Sequence, residues 1–393
     1  MIKGKAVYLN RLYSRMKFKT MNIGENISGA SPPGVFVGRF GYPKVSVGPL
    51  IPPQHGDTKI MDTPEEWFEK SKQVSDIIDF RFSLIRGKRA IKIQDVQNKT
   101  VRTLQEIALA KNSMEIEAEF TKKPRGVFFN EDVQPFGPSA PLKEMKINNT
   151  KMEPHMEKVY YDTDLKAKDA IVDLYDKGVV VSAIQKALSI GAFGLEKNRK
   201  LVPTRWSITT ADDTLGLHFL TNVRNYPLIE NYQVYEYTRM NNTFFILLMP
   251  TYWQYEFLEA FIRVLGNEEV LFSDWEPNTG KKEYASIGGC FYSTRLGILE
   301  FLDKHKTQAG ALVFRESYPN YTPLGVWLVR ECTRSAMSKR PKEFDDMRSA
   351  LNYISGKLWL PFSRYKNQSV LLKQSLLTSF FKGAGNLQYS SFL

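Results

Sequence analysis

The stretch "NYQVYEYTRMNNTFFILLMP", residues 231–250, decides the fold class. Tyr232, Val234 and their alternating neighbours have the two-residue period of a half-buried strand. Met240, Asn241, Asn242 and Thr243 supply a turn between two such runs, so the stretch predicts a hairpin. The following "TYWQYEFLEAFIRVL" (251–265) reads as a helix packed on it. Downstream, a turn-rich segment (273–289) opens a second block, with a helix around 294–305, strands at 310–317 and 325–332, and a capped helix over 342–355.

Upstream, residues 28–58 set Pro and Gly among Val, Phe and Tyr, which predicts short strands joined by tight turns. Thr63, Pro64 and Glu66 in "DTPEEWFEKSKQ" predict a helix start with a capping box. "FRFSLIRG" (80–87) reads as a strand, residues 99–120 as one long amphipathic helix, and "GVFFN" (126–130) as a buried strand. Residues 134–154 read as an exposed turn-rich crossing, followed by helices near 163–176 and 181–190. Helices and strands that mix without regular alternation predict an α+β fold of one large or two closely packed domains with a flexible C-terminal tail. The expected division is a basic arm (1–27), an N-terminal domain (28–270), a C-terminal domain (271–365) and a tail (366–393).

A net charge of +12 points to an acidic partner, nucleic acid first and an anionic membrane surface second. The first 24 residues hold Lys3, Lys5, Arg11, Arg15, Lys17 and Lys19, and no apolar core of a signal peptide follows them. The longest apolar run, 244–249, is too short to span a bilayer, so no membrane role is expected. The two cysteines, Cys290 and Cys332, fit a reducing cytoplasm. His55, His155, His218 and His305 lack ligand spacing and read as structural, and no metal is expected.

Near the C-terminus, "KQSLLTSFFKG" (373–383) places Gln374, Leu377, Phe380 and Phe381 in the pattern Q-x-x-Φ-x-x-aromatic-aromatic. This is the pattern of peptides that bind the replicative sliding clamp (PCNA). In one tight 3₁₀ turn, positions 377 and 380 eclipse one another beside 381, forming an apolar plug whose rim Gln374 can hydrogen-bond. As a core helix, Leu371, Leu372, Leu376, Leu377, Phe380 and Phe381 would spread over more than half the wheel. A tail that orders on binding should reach roughly micromolar affinity, about −8 kcal/mol.

In "VFVGRFGYPKVSVG", Arg39 and Lys44 stand among Gly38, Gly41 and Gly48, with Phe40 and Tyr42 between them. Turn N–H groups and the two cations can cradle phosphate while the rings stack on bases; a twisted hairpin that merely uses its glycines for turns is the alternative. Arg205 and Trp206 in "VPTRWSITTADD" can likewise clamp a nucleotide, or Trp206 can be core. Asp212 and Asp213 read as a cap or solvated turn, with Mg²⁺ binding in a nuclease as the alternative. Glu316 and Glu331 each close a predicted strand beside an arginine. They read as Arg–Glu pairs, with catalytic carboxylates of a nucleotidyl or ADP-ribosyl transfer as the alternative, which would bring NAD as cofactor. No cofactor is otherwise evident.

"SPPGVFVGRFGYPKVSVGPL" (31–50), "VPTRWSITTADD" (202–213) and "ENYQVYEYTRMNNTFFILLMP" (230–250) resemble the archaeal Nre family of DNA repair proteins, a similarity that runs from about residue 28 through the tail. The resemblance implies work at damaged DNA and at the sliding clamp. A cysteine-rich zinc motif that relatives carry before the "SPPGVFVGR" stretch has no counterpart here, and the basic arm stands in its place. Together these readings describe a cytoplasmic DNA repair factor that touches DNA through a basic surface and is tethered to the clamp by its tail. The alternative is a DNA-processing enzyme, a nuclease or transferase, on the same tether.

Overall fold

The computed structural model describes Lys5, Val7, Tyr8, Arg11 and residues 23–129, 133–148 and 151–374. Two mixed sheets organise an α+β fold. The first orders β1 (Asn26–Ser31), β2 (Val35–Val37), β3 (Lys44–Ile51), β4 (Ile85–Lys92), β5 (Met114–Phe120) and β6 (Ser139–Ile147) as β1-β5-β6-β4-β3-β2. The second holds β7 (Tyr232–Arg239), β8 (Asn242–Met249), β9 (Tyr255–Ile262), β10 (Glu269–Glu276), β11 (Gly310–Ser317) and β12 (Lys342–Phe344) as β10-β9-β11-β8-β7-β12. Each sheet contains one parallel pair, β4 with β6 and β9 with β11.

The predicted hairpin forms as β7–β8. Met240 and Asn241 both take positive φ, +49° and +56°, as a two-residue turn matched to the strand twist requires. Phe244, Ile246 and Leu248 enter the large core on one face, while Phe245, Leu247 and Met249 pack in a second cluster on the other. Burial on both faces is why the run is continuously apolar. The same condition corrects the helix expected over 251–265. Residues 255–262 form β9 instead; all eight are buried, Glu256 and Glu259 included, and a strand buried on both faces shows no two-residue period.

Other departures have equally local causes. The expected long helix of 99–120 ends at Leu109; Met114, Ile116, Ala118 and Phe120 then alternate with three glutamates as β5. The expected strand at 80–87 begins inside the helix α1 (Val74–Ser83), where Arg81 is buried against Asp62, and β4 follows. The exposed crossing of 134–154 contains β6, and the described residues of the expected 126–130 strand contribute the isolated Phe128–Phe136 bridge. Residues 325–332 open a helix (Val326–Met337) rather than a strand, and the expected capped helix of 342–355 begins at Met347 on Asp346. Thr63 donates to the Lys59 carbonyl and makes no capping bond, although Pro64 does begin a helix.

Two further helices, α2 (Thr204–Val223) and α3 (Val326–Met337), both pack against the helix Gly289–His305. The expected boundary at 270/271 falls inside β10, and the second sheet takes strands from both sides of it. Lys5 is buried against Glu259 and the Ile287 carbonyl, Tyr8 packs on Phe261, and Arg11 pairs with Glu268. These cations of the basic arm therefore face the protein's own acids. Among the described residues, no helix is long and apolar enough to cross a membrane.

Candidate nucleic-acid interface

A cleft of about 410 Å³ opens where β2, β3 and β4 meet the N-terminus of α2. The β2–β3 turn forms one wall, held by Gly38 N–H to the Ser46 carbonyl and Lys44 N–H to the Gly41 carbonyl. Gly41 sits at φ +84°, a conformation glycine adopts without strain. A Cβ on Gly48 would lie 1.6 Å from the Gly87 carbonyl oxygen, so glycine there lets the strands close up. The Thr204 hydroxyl accepts from Val37 N–H at 2.9 Å and pins the start of α2 to β2. The third wall is residues 125–128, held by paired backbone bonds between Phe128 and Phe136 and between Arg125 and Ser139.

Arg39, Arg86, Lys88, Arg125 and Arg205 line this cleft, and none of its described lining residues is acidic. Arg86 forms the floor, with its guanidinium 4.6 Å from the Phe136 ring centre and 5.3 Å from that of Phe36. Its Nε and Nη2 donate to the Gly137 carbonyl at 3.4 and 3.3 Å. Desolvation first, and then nearby Arg81, push the Arg86 guanidinium down to about 10. Lys88, on the same face two residues along β4, is lowered by burial and by Arg86. The described lining is thus positive and carries no acid, which favours an anion.

Four aromatic side chains stand exposed around the mouth: Phe40, Tyr42, Phe128 and Trp206. Tyr42 and Trp206 pack on one another at 5.3 Å, and Arg39 lies over Phe40 at 5.1 Å. Of the residues expected to contact DNA, Arg39 and Arg205 line the cleft and Trp206 stands at its edge, exposed rather than in the core. Lys44 is exposed at the start of β3 and does not line it. Arg86, Lys88, Arg125 and Phe128 were not legible as site residues. The signal for the first two was the alternating "IRGKRAIK" of β4, which a misplaced strand boundary obscured.

The acids considered for catalysis have structural partners. Asp212 lies mid-helix in α2, fully buried, and accepts from Arg330 and Gln185; the expected solvated turn does not exist. Asp213 pairs with Arg295. Glu316 is buried in β11 and accepts from Trp359 and Leu360 N–H and from the Tyr318 and Tyr365 hydroxyls. Glu331 lies within α3, not at a strand end, between Arg330 and Arg334. Among the described residues, no group of three His, Cys, Asp or Glu side chains could hold a metal ion.

The C-terminal segment is anchored on the second sheet before its motif begins. Glu256 of β9 accepts from Ser369 Oγ at 2.5 Å and from Val370 and Leu371 N–H at 2.8 and 2.9 Å. Leu371 and Leu372 are buried, and Gln374 is the last described residue. Leu377, Phe380 and Phe381 lie outside the described residues.

Comparison with known proteins covers both halves of the chain. The family described as Archaeal Nre, N-terminal, matches residues 4–264, and Archaeal Nre, C-terminal, matches residues 276–380. The chain is 41% identical to the DNA repair protein NreB of Archaeoglobus fulgidus, over 90% of this chain and 91% of that protein. It is 34% identical to the DNA repair protein NreA of the same organism, over 92% of each. Identity to the DNA repair protein NreA of Haloferax volcanii is 29%, over 90% of this chain and 88% of that one. No solved structure matches the chain. The chain belongs to the archaeal Nre family.

Proposed function

We propose that this protein is a cytoplasmic DNA repair factor that binds DNA through the basic cleft and is recruited to the sliding clamp by its C-terminal motif. The observation that carries the DNA contact is the convergence of five cations and four exposed aromatic rings on one surface whose described lining contains no acid. Cations neutralise backbone phosphates and rings stack on unpaired bases, the two components of single-strand binding. The names of the relatives support the repair setting.

The Glu256 anchor supports the recruitment reading. It fixes the chain up to Leu372, so the motif from Gln374 starts from a defined place on the surface. Fluorescence anisotropy with labelled DNA across a salt series tests the DNA contact. Affinity should fall steeply as salt rises, because bound phosphates release counterions. Weak binding that ignores salt would contradict the reading.

A further inference from the structure

The floor of the basic cleft differs from an ordinary DNA-contacting surface. Lysines and arginines that contact a duplex backbone stand exposed, where phosphodiesters can pass them. Arg86 is nine-tenths buried, capped by two phenyl rings and the Gly137 carbonyl. Its hydrogen bonds to that carbonyl are long, and among the described residues no carboxylate lies within ion-pairing distance. A buried cation left without a counter-ion is costly, and such a group normally has a bound anion or a partner acid.

A cleft of about 410 Å³ lies within the range of small-ligand pockets, about 300–1,000 Å³, and is far too small for a duplex. We propose that it takes a single nucleotide bearing a phosphate monoester, with the phosphate on Arg86, Lys88 and Arg125 and the base against Phe40 and Phe128 at the mouth. This rests on the reading of the cleft as a DNA-binding surface. A phosphodiester continues in two directions and would have to thread past the rings that close the floor. A terminal phosphate ends there, and its second negative charge matches a cluster of three cations. The planar guanidinium of Arg86 suits two phosphate oxygens at once. The same chemistry is presented by the phosphorylated end of a DNA strand and by a free nucleotide.

The test uses the full chain and three internally labelled single strands of one sequence, carrying a 5′-phosphate, a 3′-phosphate, or hydroxyls at both ends. One phosphorylated strand should bind at least ten-fold tighter than the hydroxyl strand. Arg86→Gln should erase that advantage. Lys88→Gln, at a half-buried position whose loss leaves the core untouched, should reduce it several-fold and serves if Arg86→Gln fails to fold. A deoxynucleoside monophosphate that competes where its nucleoside does not marks free nucleotide as an additional source. Equal binding of all three strands, together with no competition by the monophosphate, overturns the proposal and leaves general DNA binding intact. Absence of binding to every strand and to the monophosphate overturns both.

Discussion

Arg330 of α3 donates through Nη1 to both carboxylate oxygens of Asp212 in α2, at 2.8 and 3.1 Å, with both side chains fully buried. The pair ties α2, whose first turn forms a wall of the cleft, to α3. Removing a partner from a buried ion pair costs about 3–5 kcal/mol when a charge is stranded. Arg330→Met strands the fully buried Asp212, while Glu331 keeps Arg334 at 2.9 Å, and should cost that much. Asp212→Asn should cost less, because Arg330 keeps Glu331 at 3.4 Å and Glu65 at 3.9 Å. Urea denaturation midpoints check the order. A more damaging Asp212→Asn would mean that the pair does not work this way.

Burial, opposed by Arg330, lifts the Asp212 carboxyl to about 6. A folded value above the unfolded one means that the folded state holds the proton more tightly. Its contribution to stability is therefore full at low pH and is lost as pH rises through about 6. Asparagine mimics the protonated acid and does not titrate. The stability advantage of the parent over Asp212→Asn should accordingly shrink between pH 5 and pH 7, read from melting temperatures at each pH. An advantage that grows over that interval would reverse the sign and refute the assignment.

Both thiols are sealed. Cys290 and Cys332 are fully buried, and desolvation pushes the Cys332 thiol up to about 12. Ellman's reagent at pH 8 should label neither in the native protein and both after denaturation. Rapid labelling of Cys332 in the folded chain would contradict the packing of α3.

The tail offers a separable test. Phe380→Ala combined with Phe381→Ala should abolish co-elution with the sliding clamp on gel filtration while leaving the melting temperature and DNA affinity unchanged. Truncation before Ser369 should instead lower stability, since it removes the Ser369 hydroxyl and the Val370 and Leu371 N–H groups that satisfy the buried Glu256 carboxylate. Clamp binding that survives the double substitution would remove the motif from the proposal.

Much of the architecture could be read from local pattern. The hairpin around Met240 and Asn241 and the short strands of 28–58 announce themselves through turn chemistry and alternation. What stayed hidden has a common cause. Strand β9 is buried on both faces and its two acids, Glu256 and Glu259, stand three residues apart, so Tyr255 to Ile262 show no two-residue period. Helix α3 begins with β-branched and aromatic residues, and its three-to-four spacing of Val326, Val329, Arg330, Thr333 and Met337 emerges only over a longer window. Asp212 looked solvated because its partner lies 118 residues away. For the site, Arg39, Arg205 and Trp206 were legible beside turns and aromatics, whereas Arg86 and Arg125 join them only through sheet pairing and a long-range bridge.

The central claim is that the cleft is where DNA binds. The direct measurement compares salt-dependent DNA affinity for the parent, for Arg39→Ala/Lys88→Ala/Arg125→Ala, and for the equally charged control Lys166→Ala/Lys168→Ala/Lys366→Ala. Each lost phosphate contact lowers the slope of log K against log salt by roughly 0.7 for a single strand. The cleft variant should therefore lose about two units of slope and at least ten-fold in affinity at moderate salt, with the control close to the parent. Equal losses in the two variants would show that charge alone, and not this cleft, carries the binding.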